Sequence, residues 1–230
     1  MDNKVRKILI YVTALLSVAI IGILGLMLKD VFFGSNIPRS PDEQAYDLAK
    51  SLVAKDPKNA GYLFRLAKTE ADLNRTGDAI QHLKQAIQLQ PAAPMLHYTL
   101  AEIYENNGQQ DDAIKELKEE LRVTELKNEL AWYDLGVIMN KRKDYNKAAT
   151  CLKNALVRMD SSADAHYQLG VAYEGLGQNN LAEKEYDEAL RFIPDDAEAQ
   201  RALIELQQKK LHAGSTTTTT NKTTTTNKKK

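Results

Sequence analysis

Cysteine, tryptophan and phenylalanine are scarce in this chain of 230 residues, which has one Cys, one Trp and four Phe. The lone Cys151 excludes an intramolecular disulfide and any cysteine-cluster metal site. Its place beside Leu152 reads as a small buried hydrophobe. Sustained period-two alternation and β-branched clusters are missing, which argues against strands. No glycine-rich phosphate loop, G-x-S-x-G or H-E-x-x-H occurs. The four histidines are scattered. His97 and His166, 69 residues apart, read as satisfied packing residues rather than metal ligands. The acidic stretch 111–120 is interleaved with Lys115 and Lys118, the pattern of a solvated helix face. With no catalytic, cofactor or metal constellation, the chain is expected not to be an enzyme.

Net charge is also absent, with 31 basic and 31 acidic residues. The zero conceals three parts. Residues 1–7 set Lys4, Arg6 and Lys7 against Asp2, a net of +2. Residues 213–230 carry Lys222, Lys228, Lys229 and Lys230 with no acid, a net of +4, so the body between holds −6. An acidic body disfavours nucleic acid bound through phosphate contacts. The tail has nine Thr and no large apolar residue, and is expected to be disordered.

One long apolar run is present. Residues 8–28 hold no charge, and 21 residues span roughly 32 Å as a helix against a hydrocarbon core of about 30 Å. The run exceeds a signal-peptide core and no small-x-small cleavage site follows, so an uncleaved transmembrane anchor is expected. The basic head 1–7 keeps the N-terminus in the cytoplasm and sends the rest across. Residues 29–41, with Gly34, Pro38 and Pro41, read as a linker.

The body repeats itself about every 34 residues: YTLAEIYENNG (98–108) aligns with YQLGVAYEGLG (167–177), and GDAIQHLKQAIQLQP (77–91) with the stretch ending at Pro194. Such a period means stacked helical hairpins. Four registers result, 60–93, 94–127, 129–162 and 163–196. Small residues at the eighth and twentieth positions (Gly136 with Ala148, Gly170 with Ala182) let paired helices approach, and Pro91 and Pro194 end helices. The second repeat departs from the pattern with His97, Glu120 and Glu125, so its packing on the third is the part that the pattern specifies least. Residues 42–59 read as a capping helix or half-repeat. Residues 197–212, with Ala199, Leu203 and Leu206 on one face, read as the solvating helix that solenoids require.

These residues resemble the tetratricopeptide-repeat (TPR) family, whose pattern runs W-x₂-L-G-x₂-Y, then A-x₃-F, then A and P. The third repeat supplies Trp132, Leu135, Gly136, Ala148, Leu152 and Ala155; the fourth supplies Leu169, Gly170, Tyr173, Ala182, Tyr186, Ala189 and Pro194. The resemblance implies an all-α solenoid whose first helices line a groove for extended or helical peptides. Carried over by repeat position, that groove would hold Phe64, Tyr98, Tyr133 and Tyr167 as an aromatic column, as suits a binding surface. Flanking it would be Arg65, Lys68, Thr99, Glu102, Asp134, Val137, Asn140, Gln168 and Val171. The clamp by which TPR co-chaperones grip a C-terminal carboxylate is missing, because Phe64, Lys68, Thr99, Leu130 and Asp134 stand at its positions. The expected function is a membrane-anchored scaffold outside the cytoplasm, holding a protein or peptide partner during assembly of an envelope complex, without cofactor, metal or nucleic acid. An organelle outer-membrane adaptor with cytosolic repeats is the alternative.

Overall fold

A computed structural model describes residues 39–223, with side-chain surroundings for 39–212. The basic head, the expected membrane segment 8–28 and the linker up to residue 38 lie outside the described residues, as does 224–230. Among the described residues there are ten helices and no strand, and no helix is long and apolar enough to cross a membrane.

The described residues up to Asp47 belong to one compact unit and those from Leu48 onward to another. Helix α1 (Pro41–Lys55) begins inside the expected linker. Proline suits the first helical position, where its missing N–H has no intrahelical partner. Ser40 and Glu43 form a reciprocal capping box, each side chain accepting the other's backbone N–H at 3.2 Å.

Four hairpins follow: α2 (Ala60–Asp72) with α3 (Thr76–Leu89), α4 (Leu96–Asn106) with α5 (Gln110–Val123), α6 (Glu129–Lys141) with α7 (Tyr145–Leu156), and α8 (Ala163–Gly175) with α9 (Asn179–Phe192). Every hairpin turn places a left-handed residue at the same repeat position: Asn74, Gly108, Lys143 and Gly177. The next N–H then reaches back to the helix it leaves, as in Gln109 N to Tyr104 O and Asp144 N to Met139 O. This closes the orphan carbonyls of the first helix. Lys143 adopts at φ 60° what Gly108 and Gly177 adopt without a Cβ.

One apolar cluster runs from Ala60 to Ala172, through Leu63, Leu83, Leu100, Leu117, Ile138 and Leu152. Two smaller ones seat α10 (Ala197–Thr223) through Ala199 and Leu206, both fully buried. Ala148 and Ala182 are fully buried, as expected of small residues. What fills the glycine notches is the side chain four residues beyond each of these alanines. A Cβ on Gly136 would meet Leu152 Cγ at 2.6 Å, and one on Gly170 would meet the Tyr186 ring at 2.5 Å. The close approach is therefore a knob of Leu or Tyr set over glycine.

The C-terminal helix corrects the boundary expected at 212, since α10 continues through Thr223 and takes in the first part of the Thr-rich segment. Once a helix exists, each further residue adds a hydrogen bond without a new nucleation cost. Low packing capacity alone therefore does not end it there.

Candidate functional site

The first helices begin with a side-chain cap in three repeats out of four. Asn59, Asn128 and Ser162 accept the N–H groups of Tyr62, Ala131 and Ala165. Met95, ahead of α4, has no capping side chain and a φ of 70°. The missing acceptor comes from Glu120 on α5, which is 0% exposed. Its carboxylate accepts Met95 N at 2.9 Å, Tyr98 N at 3.2 Å and Asn128 Nδ2 at 2.8 Å. Glu120, which departs from the repeat pattern, thus caps α4 and ties it to the cap of α6. Buried His97 pairs with Glu116 at 2.6 Å, and His166 repeats the arrangement with Glu185 at 2.8 Å. Glu70, which stands where the family pattern has its Tyr, is buried on His82 at 2.7 Å.

These anchors orient a strip formed by α2, α4, α6 and α8. At its start Phe64 packs partly on the core, with the Lys68 ammonium 6.0 Å from its ring centroid. Arg65 is exposed. On α4 both Tyr98 and Thr99 are buried, so neither is an open anchor, whereas Glu102 is exposed. The Tyr98 hydroxyl faces the carboxylates of Asp134 and Glu102; burial and then those charges hold it above the ordinary phenol range. Burial raises the Asp134 carboxyl against the lowering Tyr98 hydrogen bond. Glu102 is raised by burial and by Asp134, with Lys68 opposing.

On α6, Tyr133 and Val137 are half-buried, and burial pushes the Tyr133 hydroxyl up to about 12. Asn140 is buried; its Nδ2 donates to Gln168 O at 2.8 Å and Gln168 Oε1 at 3.1 Å, joining α6 to α8. Tyr167 and Val171 line a cavity of about 350 Å³ with Tyr145, Tyr186 and Glu174. The predicted residues therefore meet in pairs across neighbouring first helices.

The prediction missed two partners on this face. Glu105 accepts Lys141 Nζ at 2.7 Å, and Glu174 accepts the Tyr186 hydroxyl at 3.1 Å and is paired with Lys209. Both glutamates stand at the repeat position of Asn140, two helical turns further along the stripe of the aromatic column. Extending that position to every repeat would have found them.

A larger cavity, about 770 Å³, opens elsewhere at the junction of the second and third hairpins. Ile114, Leu135, Met139 and Cys151 are among its lining residues, and none of the predicted groove residues is. Burial pushes the Cys151 thiol up to about 11, so it is protonated at neutral pH. No group of His, Cys, Asp and Glu able to hold a metal ion occurs among the described residues.

Comparison with known proteins agrees with this architecture. A TPR-repeat model matches residues 67–108, and tetratricopeptide-repeat models match 96–123 and 163–196. No curated protein matches. Among solved structures, MamA is similar at TM-score 0.59 and 25% identity, over 68% of this chain and 85% of that one. YrrB, a TPR protein with an unusual peptide-binding site, is similar at TM-score 0.66 and 18% identity, over 72% and 85%. MamA from Desulfovibrio magneticus RS-1 is similar at TM-score 0.62 and 20% identity, over 66% and 85%. The last two likenesses speak to the fold alone. With repeat models matching the second hairpin and the fourth, and four hairpins built on one register, the chain belongs to the tetratricopeptide-repeat family.

Proposed function

We propose that this protein is a membrane-anchored scaffold that holds a protein or peptide partner along its first-helix strip. The anchor is residues 8–28, with the N-terminus in the cytoplasm and the repeats outside it, where they serve assembly of an envelope complex. The observation that carries the binding reading is the strip itself. Aromatic and polar groups of α2, α4, α6 and α8 follow one another across neighbouring helices, with exposed Arg65, Lys68 and Glu102 beside half-buried Tyr133, Val137 and Tyr167. Partly exposed aromatic groups among polar neighbours suit recognition. Peptide binding by YrrB is compatible with this use of the fold and does not by itself transfer. The chemistry described is that of a binding face rather than of a catalyst.

Site-specific photocrosslinking in the full-length protein in its membranes tests the reading. A crosslinking residue at Val137 or Gln168 is expected to capture a discrete partner, whereas one at exposed Lys153 on α7 is not. Equal capture at all three sites would remove the strip from the argument. Reporter fusions after residue 212 are expected to read outside the cytoplasm; a cytoplasmic signal would overturn the topology and favour the adaptor.

A further inference from the structure

The strip differs along its length in how its charges are compensated. Glu105 is paired with Lys141 and Glu174 with Lys209. Glu102 on α4 and Asp134 on α6 have no cation at ion-pair distance among the described residues, and Lys68 and Lys141 act on them only from farther away. They share the Tyr98 hydroxyl, which has one proton to give. An independent feature of the same strip has the same polarity. Asn140 is 8% exposed, and its Oδ1 is a buried acceptor with no hydrogen-bond partner. It follows Tyr133 and Val137 on one stripe of α6, at the i, i+4, i+7 spacing. A buried acceptor left without a donor is costly, and a half-buried carboxylate such as Asp134 is stabilised by a nearby cation. The unmet groups here are all acceptors, so the fitting ligand is rich in donors and positively charged.

We infer that the α4–α6 part of the strip recognises a lysine- or arginine-bearing segment of the partner protein. The cationic head group lies between Glu102 and Asp134, and the segment runs on over Tyr133 toward Asn140. This rests on the strip being the partner-binding face. Its polarity is opposite to that of a carboxylate clamp. Charge complementarity supports it, since the body between the basic ends carries −6.

The test uses the full-length protein in detergent and three labelled nonapeptides in one Ala/Gly host, carrying two lysines, two glutamates or two norleucines. Fluorescence anisotropy is expected to show the lysine peptide binding at least about tenfold tighter than the other two. Glu102→Gln with Asp134→Asn should remove that preference. Asp187→Asn with Asp195→Asn makes the same change in net charge on and beyond α9 and should leave it intact. Circular dichroism confirms that both variants fold. Binding indifferent to peptide charge, or equal loss in both double variants, overturns the inference. The strip reading survives that result if photocrosslinking at Val137 succeeds. The chain's own Lys-rich tail is the competing occupant. If deleting residues 213–230 raises affinity for the lysine peptide more than about threefold, the tail fills the strip and the partner assignment falls.

Discussion

The junction between the second and third hairpins and that between the third and fourth solve one packing problem by different means. At the later junction α6 and α8 approach closely, α7 packs broadly on α8, and Ser162 caps α8 locally. At the earlier junction the second helix packs less on the next hairpin, and α4 and α6 approach least among neighbouring first helices. There Glu120 stands where the other repeats have Ala86, Ala155 and Ala189, all fully buried. An alanine admits the next hairpin by being small; the glutamate holds it by hydrogen bonds. An apolar contact needs only shape, whereas a buried carboxylate needs every acceptor met. The looser junction is also where Glu102 and Asp134, neither in an ion pair, and the larger cavity lie.

The contrast can be broken most strongly at Glu120. Glu120→Ala leaves Met95 N, Tyr98 N and Asn128 Nδ2 without their acceptor and is expected to cost about 3 kcal/mol. That appears as a fall in Tm of roughly 6–12 °C by circular dichroism. Glu120→Gln, which keeps one acceptor oxygen, should cost less; equal losses would mean that volume rather than hydrogen bonding holds the junction.

The packed hairpin should break through shape instead. A Cβ on Gly170 lands 2.5 Å from a Tyr186 ring that is 1% exposed, so Gly170→Val is expected to cost about 2 kcal/mol. Adding Tyr186→Leu should recover part of that loss in a double-mutant cycle, and simple additivity would refute the knob-over-glycine account.

Two smaller effects sharpen the comparison in the stabilising direction. Lys143 is left-handed where Gly108 and Gly177 serve the same turn, so Lys143→Gly should stabilise by about 0.5–1 kcal/mol in urea denaturation. Asp134→Asn keeps an acceptor for Tyr98 while removing a charge that burial disfavours. The folded Asp134 carboxyl is raised, so its ionisation costs stability as pH rises through that raised value. The variant should therefore gain about 1–3 °C in Tm at pH 7 and lose the gain as pH falls and the native carboxyl protonates. A gain in stability together with lost lysine-peptide binding would mark a residue kept for recognition.

Much of this was legible residue by residue. The four registers show in Gly136, Gly170, Ala148, Ala182 and the helix-ending prolines, because hairpin packing depends on spacings within about 34 residues of chain. Tyr133, Val137, Tyr167 and Val171 could be named from the same spacing, and in the structure they are half-buried. Tyr98 and Thr99 share that spacing yet are buried, since the surroundings of a helix face depend on its neighbours' placement. Glu120 looked like a defect because its partners Met95 and Tyr98 precede it by 25 and 22 residues on another helix.

The sequence by itself determined the period, the helical class and the stripe that each first helix presents. Those follow from local preferences and from where small, large and helix-ending residues recur. The tertiary structure decided which acceptors found donors. Glu105 met Lys141 and Glu120 met the bare end of α4, while Glu102 and Asp134 were left without an ion-pair partner among the described residues. Such pairing depends on distances of a few ångströms between helices and on the water that packing excludes, and neither is written in the order of residues.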